Sequence, residues 1–489
     1  MQVVVKGRTS DEGNDGELVT EDQDRSQLTL WASDDAEQVK PAKGTGERQS
    51  SSARTATNLR PPKAENLWEQ AFSLPNLHRA MQRVEQNGGA AGIDDIEVNQ
   101  LRSHFESRWS SIRLQLDAGT YRPQPVRRVT IPKPYGGKRM LGVPTVMDRL
   151  ISQALLQVLT PVFDPHFSEM SFGFRPKRSA HMAVTAARGY IDEGCDWVAD
   201  VDLDSFFDRL NHVALMARVA RKVGDKRVLK LMRAYLNAGV MVEGVKQASE
   251  VGTPQGSPLS PLLANVMLDD LDKELEARGH RFVRYADDIR IYVGSERAGN
   301  RVLDGITRFI ERRLKLKVNA DKSGVAPARK RGLLGFCFFG RSGEIKVRID
   351  PKAKKAMKAR IRRLTARSWG ISMQERIAVL NRFIRGWCAY FALAATPSVF
   401  AEFDEWLRRR LRQVRWKEWK RPRTRAHNLQ RLGMPRDKAY EWGFTRKGSW
   451  RLAGSAPLQR ALPNAYWSSL GLQGFSESYR SVWNVWRTA

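Results

Sequence analysis

Cysteine, long apolar runs and a secretory N-terminus are scarce or missing in this 489-residue sequence. Its three cysteines, Cys195, Cys337 and Cys388, lie far apart and form no Cys-x-x-Cys pair, so neither a zinc site nor a disulfide framework is indicated. They are expected to be small buried apolar residues in a reducing cytosol. The sequence contains no run of 18 apolar residues, so no membrane-spanning helix is predicted. The N-terminus also lacks the basic-then-apolar pattern of a signal peptide. A cytoplasmic protein is therefore predicted.

Positive charge is abundant and unevenly placed. The formal net charge is +30, yet residues 1–60 carry 8 Lys and Arg against 11 Asp and Glu. Residues 351–489 carry 30 Lys and Arg against 8 Asp and Glu, and they hold 10 of the 14 Trp. Cations neutralise phosphates and aromatic rings stack on bases, so this combination is typical of a nucleic-acid-binding surface. The alternative, a merely solubilising basic surface, fits such a concentrated charge poorly.

Composition and periodicity divide the chain into four segments. Residues 1–63 are acidic and offer few apolar side chains to offset the entropy of ordering, which predicts a mostly disordered linker or a shield for the basic surface. Residues 64–350 mix helical and strand patterns and predict an α+β fold. From Pro351 onward the pattern is helical and basic, comprising a domain over 351–430 and a C-terminal nucleic-acid-binding segment over 431–489.

Individual elements of the α+β segment follow from periodicity and from turn and capping residues. Ser260 is expected to cap a helix that has Pro261 in its first turn and runs to about Leu275. The other predictions are short helices around 67–74 and 77–84, strands at 128–132 and 139–143 joined by a turn at 134–138, a helix over 149–159, and a strand over 197–203.

Two adjacent carboxylates, Asp287 and Asp288, lie between the strand-forming runs 282–284 and 289–293. This arrangement predicts the tip of a β-hairpin. Neighbouring like charges repel each other, so a bound partner must offset the repulsion. Mg²⁺ is the natural candidate because it prefers carboxylate oxygens together with substrate phosphates.

A second acidic cluster occupies the predicted strand 197–203 and its end. Asp200, Asp202 and Asp204 alternate, and residues two apart share one face of a strand. Strand geometry leaves the three as equal candidates. Beside the hairpin they would supply enough oxygens for two Mg²⁺ ions about 4 Å apart. Such a pair favours nucleotidyl transfer, in which a 3′-oxygen attacks and pyrophosphate leaves.

The order of motifs over roughly residues 64–489 resembles a bacterial group II intron-encoded reverse transcriptase/maturase. This resemblance implies a right-hand polymerase, with fingers and palm over 64–350 followed by an all-helical thumb/maturase domain over 351–430. The matching motifs occupy residues 139–149, 171–176, 202–208, 252–261, 285–288, 316–323, 332–336 and 380–391.

The resemblance also implies roles for single residues. It selects Asp202 from the three alternating aspartates and makes Asp202, Asp287 and Asp288 catalytic. These three carboxylates and the Leu203 carbonyl would hold two Mg²⁺ ions. Lys322 would protonate the pyrophosphate, with a plain surface lysine as the alternative.

A nucleotide site and an RNA site are implied as well. Lys133 and Arg139 would grip the triphosphate, although a simple surface role is the alternative for Lys133. Phe207 would be a steric gate against ribonucleotides, or alternatively a core residue, while Gln255 and Gly256 would contact the nucleotide. RNA-binding side chains are expected at Arg408, Arg409, Arg412, Arg415, Lys417, Lys420, Arg421, Arg423 and Arg425. Contacts between helices are expected at Asn381, Gly386, Trp387 and Tyr390.

The implied function is an RNA-directed DNA polymerase that binds group II intron RNA, assists its splicing and copies it into DNA during retrohoming. Its partners would be intron RNA, target DNA with a primer, and deoxynucleoside triphosphates. No His-Asn-His nuclease motif with paired cysteines follows the thumb, which suggests the subclass lacking a nuclease. One alternative is a splicing-only RNA-binding maturase, against which the three intact aspartates argue. The other is a domesticated relative that acts in DNA repair or phage defence.

Overall fold

The computed structural model describes residues 63–132, 138–242, 245–247 and 256–488. Some predictions concern residues outside these ranges. These residues are 1–62, Lys133, Gln255 and 134–137 of the predicted turn. Element bounds below are those of the described residues.

The N-terminal part of the described chain is a helical layer beside a small sheet. Its helices are α1 (Leu67–Ala71), α2 (Leu74–Asn87), α3 (Leu101–Asp117), α4 (Val146–Phe163) and α5 (Ala180–Asp192). The strands are β1 (Val126–Pro132), β2 (Lys138–Val143), β4 (Val240–Val242) and β5 (Val245–Gln247), in the order β2-β1-β4-β5. β1 pairs antiparallel with β2 and parallel with β4. The short helices and the two strands flanking the turn are confirmed.

A buried carboxylate holds this layer together at the start of α4. Asp148 accepts hydrogen bonds from the hydroxyls of Tyr121 at 2.8 Å, Thr145 at 2.8 Å and Tyr235 at 3.1 Å. Tyr235 belongs to α7 (Lys226–Leu236), which follows α6 (His212–Val219). Burial raises the pKa of Asp148, and these donors compensate for its lost hydration. The carboxylate therefore joins α4 to the segment before β1 and to α7.

A second, central sheet has the order β6-β7-β3-β8, and its pairings are all antiparallel. Its strands are β3 (Trp197–Val201), β6 (Arg281–Tyr285), β7 (Asp288–Val293) and β8 (Gly324–Pro327). Both faces are buried. One faces the core shared with α8 (Ser260–Ala277) and α9 (Glu296–Phe309), and the other faces α5 and the C-terminal helices.

Two boundaries differ from prediction. β3 ends at Val201 rather than at 203, because Leu203 leaves the ladder and bridges to Val318 instead. The role of Ser260 as a cap is wrong: Leu259 precedes α8 with helical backbone angles, φ −76° and ψ −26°, and Ser260 is the first helical residue. Pro261 lies in the first turn as expected, where its missing N–H leaves no bond unmade.

Beyond the hairpin β9 (Phe336–Phe339) and β10 (Lys346–Ile349), every described element is a helix. The expected all-helical region is thus confirmed. Its helices are α10 (Pro351–Leu364), α11 (Met373–Tyr390), α12 (Pro397–Glu418), α13 (Pro422–Arg431), α14 (Arg436–Gly443), α15 (Ser449–Ala453), α16 (Ala456–Ala461), α17 (Asn464–Ser469) and α18 (Phe475–Thr488). Among the described helices none is long and apolar enough to cross a membrane.

Contacts made by α11 attach it to other helices of this region and to the loop before β9. Trp387 packs against Phe403 and Phe475, with ring centroids 5.6 and 5.7 Å away. Asn381 donates to the Gly471 carbonyl at 2.7 Å. The Tyr390 hydroxyl donates to the Leu334 carbonyl at 2.9 Å. These contacts confirm the predicted structural roles of Asn381, Trp387 and Tyr390. The helix contact expected at Gly386 is wrong, because this residue is exposed and a Cβ there would meet nothing within 4 Å.

Candidate active site

The adjacent carboxylates lie at a hairpin tip, as the sequence predicted. Tyr285 pairs with Asp288 across β6 and β7, so the turn consists of Ala286 and Asp287 alone. Ala286 adopts φ 57°, a left-handed conformation that an L-residue takes only under constraint. Asp287 is exposed and Asp288 half-buried. The tip therefore presents both carboxylates at the end of the central sheet.

Asp200 is neutralised by arginines. It is the register partner of Arg290, whose Nη2 lies 3.4 Å from Asp200 Oδ2, and Arg331 Nη1 lies 3.8 Å from the same oxygen. The Asp200 side chain is only 13% exposed. Burial raises its pKa, as do the charges of Asp288 and Asp202, whereas Arg290 and Arg331 lower it. Two neighbouring carboxylates thus act electrostatically on this one.

Asp202 lies just past the end of β3. The β3–β7 register ends with Val201 opposite Ile289, so Asp202 follows β3 at the same end of the sheet at which Asp288 precedes Ile289. The Asp202 amide donates to Ser323 Oγ at 2.9 Å, and its carbonyl accepts from the Asn319 amide at 2.8 Å. The Asp202 side chain is 42% exposed. The chain is therefore fixed at this point while the carboxylate remains accessible.

Lys322 stands beside Asp202. Its Nζ lies 3.8 Å from Asp202 Oδ1, and its own backbone amide donates to Asn319 Oδ1 at 3.3 Å. The segment that pins the Asp202 backbone therefore also delivers the lysine. The sequence motif over 316–323 and the motif over 202–208 meet at this contact.

Asp204 has a different environment again, with Arg209 Nη2 3.2 Å from its Oδ2. The expectation that Asp200, Asp202 and Asp204 line one strand face as equals is wrong, because β3 stops at Val201. Arginines neutralise the two outer carboxylates. Asp202 is instead the one that lies beside Lys322, at the end of β3 next to the hairpin tip.

The donor chemistry of the tip suits a divalent cation. Carboxylates and backbone carbonyls are the hard oxygen ligands that Mg²⁺ prefers, and Asp202, Asp287, Asp288 and the Leu203 carbonyl belong to that class. In the described ranges, no three His, Cys, Asp or Glu side chains are gathered as a metal-holding group. Asp202 turns toward Lys322, and Asp288 Oδ1 lies 3.2 Å from Arg290 Nε. Metal loading would require these carboxylates to turn from their cationic neighbours.

Three of the expected nucleotide-binding positions are described at least in part. Arg139 pairs with Ile131 in the β1–β2 ladder, which places its backbone on β2. Phe207 is 7% exposed and packs edge-to-face on Phe206 with ring centroids 5.0 Å apart. Gly256 has φ 134°, and a Cβ there would lie 2.3 Å from the Gly142 carbonyl oxygen. The close approach that glycine permits at 256 is thus to β2.

Comparison with known proteins identifies the fold. Residues 131–338 match the family described as reverse transcriptase (RNA-dependent DNA polymerase), and residues 354–433 match the group II intron maturase-specific domain. Protein YkfC of Escherichia coli (strain K12) is 30% identical over 332 residues, which cover 58% of this chain and 86% of YkfC. The chain belongs to the group II intron-encoded reverse transcriptase/maturase family. It is thus by family an RNA-directed DNA polymerase with a right-hand fold, and that chemistry depends on divalent metal.

Two further similarities are partial. The group II intron-encoded protein LtrA of Lactococcus lactis subsp. cremoris is 38% identical over 197 residues, covering 40% of this chain and 32% of LtrA. The chain thus spans about a third of LtrA. A chain of the solved "Partial Cas6-RT-Cas1–Cas2 complex" is 25% identical and covers 53% of this chain and 45% of its own length, with a TM-score of 0.35. A score that low supports no argument about function.

The cations expected to bind RNA divide into two groups in this reverse transcriptase. Lys417, Lys420, Arg421 and Arg423 are exposed where α12 ends and α13 begins. Arg409, Arg415 and Arg425 are half-buried and contact other side chains of the protein. Arg408 is also half-buried, and no contact among the described residues decides its role. Arg409 stacks over Trp450 at 4.1 Å, Arg415 pairs with Glu418 at 2.7 Å, and Arg425 lies 5.0 Å over Trp416.

Arg412 is a correction to the RNA-binding set. It is only 8% exposed, and its Nε and Nη1 donate to the carbonyls of Leu462 at 3.3 Å and Ala453 at 3.4 Å. These carbonyls belong to the ends of α16 and α15, where helices have unpaired acceptors. Arg412 therefore holds helices together inside the domain. Periodicity could not show this, because α12 is basic on several faces.

The sequence motif at 171–176 plays a part that sequence reasoning missed. The Phe172 amide donates to the Arg284 carbonyl at 2.9 Å, which attaches this loop to the edge of the central sheet. A Cβ at Gly173 would lie 2.3 Å from the Ala286 amide nitrogen. Phe174 follows with φ 60° and is 50% exposed. In the sequence, the glycine between Phe172 and Phe174 indicates that another segment approaches the backbone closely at this point. It does not indicate which segment that is.

Proposed function

We propose that this reverse transcriptase extends a DNA primer on an intron RNA template, with Asp202, Asp287 and Asp288 as its catalytic carboxylates. The observation that supports the proposal is the end of the β3–β7 register, Val201 opposite Ile289, beyond which Asp202 and Asp288 are the next residues toward the tip where Asp287 is exposed. The flanking carboxylates Asp200 and Asp204 are paired with arginines. Asp200 also feels the charge of Asp288, but Asp202 is the one of the three that is 42% exposed and lies beside Lys322.

The proposed reaction joins the primer 3′-oxygen to the α-phosphorus of a deoxynucleoside triphosphate and breaks its bond to the pyrophosphate oxygen. Asp202, Asp287, Asp288 and the Leu203 carbonyl would hold two Mg²⁺ ions, which when bound supply charge neutralisation and a more acidic 3′-hydroxyl. The Nζ of Lys322 would give a proton to the departing pyrophosphate. Its 3.8 Å separation from Asp202 supports this assignment, because the donor must stand beside the reacting phosphates.

Selection of the nucleotide would fall to residues around this tip. Lys133 and Arg139 would pair with the triphosphate, and Gln255 and Gly256 would line the site of the incoming base. The Phe207 ring would occupy the space that a ribose 2′-hydroxyl needs. Its packing on Phe206 favours this role, since a gate must not swing aside to admit the extra oxygen. Core packing and gating are compatible for one ring that is almost wholly buried.

Recognition of intron RNA would use the helical region. We assign residues 64–350 to fingers and palm, 351–430 to the maturase thumb and 431–489 to a C-terminal nucleic-acid-binding segment. Lys417, Lys420, Arg421 and Arg423 are exposed cations within or beside the matched maturase-specific domain. Phosphate neutralisation by such a patch provides affinity without reading sequence. We further propose that the protein contacts target DNA and assists splicing and retrohoming in the cytoplasm.

The test is RNA-templated primer extension by the full chain, titrated with Mg²⁺, alongside splicing of the intron RNA. We expect extension that requires the metal and tighter binding to intron RNA than to an unrelated RNA of equal length. RNA binding and splicing without extension would replace the polymerase with a splicing-only maturase. Extension with no preference for intron RNA would favour the domesticated relative acting in repair or defence.

A further inference from the structure

A fully buried arginine lies next to the proposed catalytic turn. Arg284 belongs to β6, and its side chain is entirely inaccessible to solvent. Its Nε donates to Asp272 Oδ1 at 2.7 Å while Nη2 bonds to the other carboxylate oxygen. Its Nη1 donates both to Asn265 Oδ1 at 2.8 Å and to the Ala286 carbonyl at 3.0 Å. One guanidinium therefore connects two positions on α8 to the first residue of the turn.

Asn265 extends the connection to the neighbouring loop. Its Nδ2 donates to the Gly173 carbonyl at 2.9 Å. Gly173 in turn approaches the Ala286 amide so closely that a Cβ would lie 2.3 Å from it. The turn is thus held from one side by Arg284 and covered from the other by Gly173.

The turn needs such support because of its own backbone. Ala286 has φ 57°, and non-glycine residues keep such conformations only when the surroundings over-determine them. Asp287 and Asp288 follow directly, so any relaxation of Ala286 would move both carboxylates. A misplacement of about 1 Å at a catalytic group can lower a rate about 10²-fold.

We propose that Arg284, with Asp272 and Asn265, is a positioning device for the catalytic turn, and this inference rests on the proposed polymerase function. The arginine touches neither nucleotide nor metal; it acts through Ala286. Loss of its contact with the turn should therefore lower kcat and raise the Mg²⁺ requirement. The KM for deoxynucleotide should change little, because triphosphate-binding residues lie on other elements.

α8 offers a matched control on another part of its surface. Arg218 is also buried, its Nε lies 2.9 Å from Asp270 Oδ2, and it donates to the Ala214 carbonyl at 2.8 Å. Like Arg284, it is an arginine that pairs with an α8 carboxylate and a backbone carbonyl. Its partners, however, lie outside the hairpin. A lysine at this position should disturb the fold comparably without disturbing the turn.

The experiment compares Arg284→Lys with Arg218→Lys in the full chain. Lysine keeps the charge for the aspartate but cannot also reach Asn265 and the turn carbonyl. For Arg284→Lys we expect kcat to fall about tenfold or more, the half-saturating Mg²⁺ concentration to rise several-fold, and the deoxynucleotide KM to stay within about twofold. For Arg218→Lys we expect a similar loss of Tm with kcat and Mg²⁺ requirement near wild type.

Two results would overturn the inference. One is a wild-type kcat and Mg²⁺ requirement in Arg284→Lys, and the other is a loss of activity in both variants in proportion to their unfolded fraction. If Arg284→Lys does not fold, Asn265→Leu is read by the same criteria, because it removes the donor to Gly173 and one acceptor of Arg284 without adding a charge to this buried site. Asp287→Asn is run in parallel: if that variant remains active, the proposed function fails. If Asp287→Asn is inactive and Arg284→Lys is fully active, the positioning role is contradicted but the proposed function is not.

Discussion

Arg290 Nη2 lies 3.4 Å from Asp200 Oδ2, and the two residues are register partners on adjacent strands of the central sheet. This pairing separates Asp200 from Asp202, which alternate in the sequence and share a charge. Asp200 shares Arg290 with the tip residue Asp288, whose Oδ1 lies 3.2 Å from Arg290 Nε. Asp202, two residues on, lies beside Lys322.

The first prediction compares conservative changes at the three alternating aspartates. Asp202→Asn should reduce primer extension by at least about 10²-fold, because it removes a carboxylate needed to hold cations against the phosphates. Asp200→Asn should keep most activity but lower the free energy of unfolding by about 1–3 kcal/mol, since it weakens the partner of a buried arginine. Asp204→Asn, which removes the ion pair with Arg209, is the control. Extension rates and urea denaturation report both quantities, and equal losses at 200 and 202 would contradict the distinction.

The second prediction concerns discrimination against ribonucleotides. Phe207→Leu should raise the ratio of ribonucleotide to deoxynucleotide kcat/KM about tenfold or more, because the smaller side chain leaves room for a 2′-hydroxyl. Its cost in stability should be about 1–2 kcal/mol, as for other modest reductions of side-chain volume in a core. Phe206→Leu is the control, since Phe206 is also buried and adjoins the same ring. A ratio that moves equally in both variants would assign Phe207 to packing alone.

The third prediction separates exposed from buried cations in the helical region. Replacing Lys420, Arg421 and Arg423 together with alanine should weaken RNA binding and reduce the slope of log affinity against log salt by about 3, one for each phosphate contact. Arg412→Ala should leave that slope unchanged. It should instead lower the free energy of unfolding by about 2 kcal/mol, because the carbonyls of Leu462 and Ala453 lose their donor. A flattened salt slope for Arg412→Ala would return that residue to the RNA-binding set.

The fourth prediction is a pH dependence at the contact between α5 and α11. His181 Nε2 bonds to the Tyr390 carbonyl at 2.5 Å, and burial lowers the pKa of the imidazole below its ordinary 6.5. The unfolded chain therefore binds a proton at a higher pH than the folded chain does. The stability contributed by neutral His181 is fully present above pH 6.5 and is lost as the pH falls toward the lowered folded-state value. His181→Gln should flatten Tm between pH 7 and about pH 5; an unchanged profile would contradict this.

Local sequence predicted the hairpin tip well, because strand-forming runs on both sides leave two residues for the turn. It could not rank Asp200, Asp202 and Asp204, since the end of β3 is decided by Asn319 and Ser323, more than 100 residues later. The burial of the Arg284 side chain could not be predicted either, because a charged residue in a strand is usually expected to face solvent. Its carboxylate partner is Asp272, on a helix whose orientation only the tertiary structure fixes.

The central claim is that Asp202, Asp287 and Asp288 form one catalytic carboxylate set for RNA-templated DNA synthesis. It is tested most directly by single-turnover addition of one deoxynucleotide to a primer annealed on RNA, comparing the wild-type chain with Asp287→Asn at matched primer–template occupancy. The account predicts that the variant binds the primer–template normally and that its rate of addition falls by at least about 10²-fold at saturating Mg²⁺. Nucleotide addition by Asp287→Asn at the wild-type rate would contradict it.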